Sequence, residues 1–129
     1  MFPNTRLRRT RMYDWSRRLI QENNITTSDL ILPLFIKEGK NVIEEIKSMP
    51  DVYKYSIDTL KKIIKEAIRY KIPAVALFPE INNNKKNEIG SEALNKNNLI
   101  CNAVREIKKS FGNSIGVICD VALDPYTSH

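Results

Sequence analysis

At 129 residues, 42% hydrophobic and 28% charged, the chain has the length for one domain with a real core and the composition of a soluble globular protein. No apolar run approaches the roughly 20 residues needed to cross a bilayer, and no apolar stretch follows the positive charges of MFPNTRLRRT, which excludes a secretory signal and points to the cytoplasm. The net charge of +6 is local: Arg6, Arg8, Arg9, Arg11, Arg17 and Arg18 face only Asp14 in this stretch, and the rest of the chain is nearly balanced.

Residues 1–28 therefore read as a basic N-terminal arm with a short helix. Such an arm suits phosphate backbones or acidic groups on a neighbouring subunit. With no interleaving of aromatic and basic residues, nucleic acid is the weaker option. From residue 29 onward the pattern is that of a β/α layer. LILPLFI (30–36) is an apolar run without alternation, the mark of a strand covered on both faces; Pro33 withholds one backbone donor within it. The segment GKNVIEEIKSMPDVYKY that follows is long for a connection and predicts local structure or function.

Ile57, Leu60, Ile63, Ile64, Ala67 and Ile68 recur at helical spacing, which predicts a helix over 57–70. Ser56 stands at its cap, and Pro73 lies just beyond its end. AVALF (74–78) reads as a second buried strand. The Asn- and Lys-rich stretch INNNKKNEIGSEALNKNN reads as a surface loop. A second helical period, through Ile100, Ala103, Val104, Ile107 and Phe111, predicts a helix over 97–111 that stops at Gly112. The last apolar run predicts a strand over 115–123. The expected architecture is α/β, with three parallel strands and both helices on one side. The four glycines do not form the GxGxxG phosphate fingerprint, which disfavours a dinucleotide-binding domain. Cys101 and Cys119 are expected as small buried hydrophobes in a reducing compartment.

Parity along the third strand singles out two acids. Val117, Cys119, Val121 and Leu123 share an apolar face suited to lie under helices. Gly116, Ile118, Asp120, Ala122 and Asp124 share the other. Aspartate is a poor strand former whose buried charge needs a partner, so Asp120 and Asp124 are the candidate site residues. Asp124-Pro125 is equally a good turn dipeptide. Ser128 and His129, being adjacent, do not make a nucleophile–base pair, and His129 alone supports neither a metal site nor a base.

Taken together and in order, DLILPLF, SMPDVYKYSID, IPAVALFP, GSEALN and DVALDPYTSH resemble the N-terminal part of the porphobilinogen synthase (delta-aminolevulinic acid dehydratase) family, from the arginine-rich arm to the last residue. The resemblance implies the arm and first three strands of a (β/α)8 TIM barrel, incomplete here. It also implies a lyase of heme and porphyrin biosynthesis that condenses two 5-aminolevulinate molecules with loss of water. The arm of such an enzyme wraps a neighbouring subunit in a homo-octamer. Asp120 matches the family aspartate near a substrate amino group. Ala122 and Asp124 stand where zinc-using members carry cysteines, so the resemblance implies magnesium rather than catalytic zinc. The family's two Schiff-base lysines match none of the lysines in the chain. We therefore expect the front portion of a larger enzyme, from a truncated or split gene and inactive alone. The alternatives are a non-catalytic remnant that joins full-length subunits through its arm and, less favoured, a small basic nucleic-acid binder.

Overall fold

The computed structural model describes residues 1–128 and shows an open, mixed sheet with two helices on one face. The arm comes first. Its single helix, α1 (Asp14–Leu19), is one of its few regular features, preceded by a turn of 3-10 helix at Arg9–Arg11. Asp14 opens α1 and pairs with Arg18 at 3.0 Å, the favourable order for a carboxylate at a helix start. A capping box follows at Thr26, where the Asp29 carboxylate accepts from the Thr26 amide at 2.8 Å. This turns the chain into the sheet.

The core strands are β1 (Ile31–Ile36), β4 (Ala74–Pro79) and β5 (Gly116–Cys119), all parallel, with β4 in the middle. Helices α2 (Ile57–Arg69) and α3 (Leu99–Phe111) connect them. Leu34, Ile36, Val75 and Leu77 point to the helix side and meet Leu60, Ile64, Ala103 and Ile107 in one buried cluster. The strand residues between them form the opposite face. That face is uncovered: Ile31 is 54% exposed and Ile118 44% exposed.

Several expectations need correction. The sheet has five strands, not three, because the long segment after β1 forms a hairpin of β2 (Ile43–Glu45) and β3 (Tyr53–Tyr55). β2 runs antiparallel to β3, and β3 runs parallel to β1 through only two register positions. The third predicted strand ends at Cys119 rather than continuing to residue 123. Strand parity therefore lapses there: Val121 is fully exposed and Leu123 is 59% exposed, so neither lies under a helix. With no partner beyond the Leu77↔Cys119 register position, the backbone leaves the sheet and enters a 3-10 turn at Asp124–Tyr126. Cys101 and Cys119 are half-buried thiols, not fully buried ones. Ser56 precedes α2, but its hydroxyl accepts from the Val42 amide at 2.9 Å instead of capping the helix. Asn98 does cap α3, accepting from the Cys101 amide at 2.8 Å.

Candidate active site at the carboxyl rim of the sheet

Parallel strands deliver their carboxyl ends to one rim, and the chain's polar chemistry gathers there. Along the uncovered face, Lys54, Phe35 and Phe78 form one row, because Phe35 pairs in register with both Lys54 and Phe78. The two phenylalanine rings meet at a centroid distance of 5.7 Å and a tilt of 36°. Asp120 follows directly on Cys119, the last residue of β5 paired with β4, and so stands at the carboxyl end of that strand. Asp120 is exposed and lies just past the end of β5, where strand parity no longer assigns it to a face. Asp124 lies four residues on, in the first turn of the 3-10 segment and likewise exposed. Its carbonyl accepts from the Thr127 hydroxyl at 3.2 Å. His129 lies outside the described residues.

The segment carrying both acids is pinned downstream of them. Tyr126 is buried in the core, and burial pushes its phenol upward in pKa. The Asn-rich loop after β4 pairs with it in parallel: the Asn87 amide donates to the Tyr126 carbonyl at 3.3 Å, and the Ser128 amide donates to the Asn87 carbonyl at 3.2 Å. Gly90 suits the turn beside this pairing through its backbone conformation. It adopts φ +63°, a left-handed conformation that side-chain-bearing residues rarely take. The same loop is tied to the end of β1, where Asn82 donates to Glu38 at 2.7 Å and Lys85 pairs with Glu38. The loop read from sequence as mere surface is therefore a strap from one strand end to another.

Opposite Asp120, four charges close into a ring. Lys37 Nζ lies 2.5 Å from Glu44 and 3.6 Å from Glu80; Lys54 Nζ lies 3.0 Å from Glu80 and 3.6 Å from Glu44. The hydrogen bond to Glu44 pushes the Lys37 ammonium up in pKa, and the same bond holds Glu44 below the usual carboxylate range. Sequence reading passed over all four. Lys54 lies on β3, whose three residues YKY are too few to show a strand period in the sequence. Lys37 is shifted away from what an amine nucleophile needs, since Schiff-base chemistry requires a neutral lysine. Among the described residues, no three His, Cys, Asp or Glu side chains gather as a metal site. The residues present do not by themselves fit a resident cation.

A parallel sheet with helices on one face and a carboxylate at the carboxyl end of an inward strand is the layout of β/α-barrel enzymes. Comparison with known proteins makes this specific. The family model for delta-aminolevulinic acid dehydratase matches residues 4–129, and the chain belongs to that family. The Bradyrhizobium diazoefficiens enzyme of that name is 52% identical over 124 residues, spanning 96% of this chain and 35% of the relative. The Chlamydia pneumoniae enzyme is 42% identical over 124 residues, spanning 96% and 37%. The crystal structure of the Toxoplasma gondii enzyme, a TIM barrel bound to its reaction product porphobilinogen, superposes with a TM-score of 0.83 at 36% identity. That match covers 96% of this chain and 35% of the other. The chain thus spans little more than a third of the length of these relatives.

Proposed function

We propose that this chain supplies the arm and opening strands of a porphobilinogen synthase barrel, acting in heme biosynthesis on 5-aminolevulinate. The observation that carries this reading is the placement of Asp120 at the carboxyl rim of a sheet that superposes on the product-bound relative. Two 5-aminolevulinate molecules condense to one porphobilinogen, and water leaves. A carboxylate at Asp120 holds the ammonium of one substrate and lends an acceptor as protons are moved. Asp124, on the pinned segment beyond it, adds negative charge at the same mouth. The amine nucleophiles come from outside these residues: Lys37 is held as a paired ammonium, and Lys61, Lys62 and Lys65 lie on helix α2, across the sheet from the mouth. On this reading the chain makes no porphobilinogen by itself.

Magnesium is the proposed ion, because Ala122 and Asp124 replace the thiolates that zinc-using members present. Its ligands are then contributed mostly by the rest of the barrel. The arm is proposed to join a neighbouring subunit of a homo-octamer in the cytoplasm. Support comes from its exposed Leu7 and Met12 and from the stacked Tyr13–Trp15 pair, apolar surface set among arginines. No helix among the described residues is long and apolar enough to cross a membrane. The same exposed arm also supports a second reading, a non-catalytic chain that joins full-length subunits. The arm's mixture of aromatic and aliphatic residues favours a protein partner over nucleic acid.

The test is a fusion of residues 1–128 to the remaining barrel of the Bradyrhizobium relative, assayed for porphobilinogen from 5-aminolevulinate. The proposal predicts turnover by the fusion and none by the chain alone. A folded, inactive fusion contradicts it and favours the non-catalytic reading.

A further inference from the structure

The β2–β3 hairpin is weakly built by its backbone alone. Each strand has three residues, all of β2 is exposed, and only Phe35↔Lys54 and Ile36↔Tyr55 join the hairpin to the sheet. A two-stranded ribbon is at best marginal in water. One end of the hairpin is moored: the Ser56 hydroxyl accepts from the Val42 amide at 2.9 Å, and the Thr59 hydroxyl donates to the Val42 carbonyl at 2.7 Å. Its tip bonds only to itself, through the Ile46 amide on the Val52 carbonyl at 2.8 Å. Between mooring and tip stands the charged ring, whose members come from four places: the ends of β1 and β4, and both hairpin strands.

We infer that the ring Lys37–Glu44–Lys54–Glu80 is a latch that sets the hairpin as one fixed wall of the barrel mouth, with Lys54 and Glu80 as positioning residues. Each charge in the ring touches two of opposite sign, so the four compensate one another and leave none to act on substrate. Single exposed ion pairs contribute little, but a closed network shared by four elements must open at several contacts before the hairpin can leave. Lys54 shares a row with Phe35 and Phe78, and Asp120 follows the end of β5, the strand on the other side of β4. A loosened hairpin therefore widens the mouth on the side facing that acid. The existence of the latch is independent of the activity proposed above; its consequence for substrate binding rests on that activity.

Amide hydrogen exchange on the full chain separates the two. The Lys37 amide, which donates to the Tyr55 carbonyl at 3.0 Å, reports on the joint between hairpin and sheet. In Lys54→Met and Glu80→Gln, exchange at Lys37 and Ile46 is expected to rise about tenfold while α2 and α3 amides hold, with Lys54→Arg close to the parent and 1 M salt narrowing the difference. Unchanged hairpin exchange, hairpin amides already unprotected in the parent, or an equal rise across both helices would overturn the latch. In the barrel fusion, Lys54→Met is expected to raise KM severalfold with kcat nearly unchanged, the mark of lost positioning rather than lost chemistry. A fall in kcat alone would overturn the positioning role. An inactive parent fusion would instead count against the proposed activity, with exchange still deciding the latch.

Discussion

The sequence singles out Asp120 by one simple fact: a charged residue set within an apolar run of strand parity. Its exposure at the rim follows from β5 stopping one residue earlier. The ring residues were not legible, since they draw their meaning from partners up to 43 positions apart in the chain, Lys37 to Glu80. Their titration is a direct check at this scale. Glu44 is lowered from its ordinary 4.5, so its contribution to the folded state is present above that value and is lost as pH falls through the lower folded one. Lys37 is raised from 10.5, so its contribution is present below that value and is lost as pH rises through the higher folded one. The ring is therefore intact across the neutral range. A carboxyl-carbon NMR titration should place the Glu44 midpoint below 4.5, and Lys37→Met should return it upward. A Glu44 midpoint that ignores Lys37 would show that the pair does not form.

At the scale of elements, helices were read more faithfully than strands. The periods through Ile57–Ile68 and Ile100–Phe111 are long enough to outweigh noise, and the helices lie within two residues of those expected. The hairpin escaped because three-residue strands carry no period. β5 was drawn too long because Val121 and Leu123 continue the apolar run into a stretch with no strand to pair with. Stability should follow the same logic. Ile107 is buried at the seam of α3 and the sheet, and Ile107→Ala should cost roughly 2–5 kcal/mol in urea unfolding. Asn98→Ala removes the one side-chain cap of α3 and should cost about 1 kcal/mol. Equal costs for the two would mean that α3 is held by its cap rather than by its packing.

At the scale of the whole molecule, the fold is an open five-stranded sheet with helices on one face. The helix-side face is complete: Leu60, Ile64, Val75, Leu77 and Ile107 are sealed. The other face is bare, with Ile31 and Ile118 in solvent and an open edge on β5. Local patterning revealed the first of these conditions but not the second, because a strand meant for a barrel lumen and one meant for a sandwich look alike. The family resemblance supplied that distinction, and the 0.83 superposition on the Toxoplasma barrel carries it. The claim on which the functional reading turns is that this sheet gives the mouth its carboxylate. In the barrel fusion, Asp120→Asn keeps shape and removes charge, and kcat/KM for 5-aminolevulinate should fall about a hundredfold or more. A fusion that keeps its rate within about twofold would contradict the account, because a group made only in passing leaves the transition state untouched.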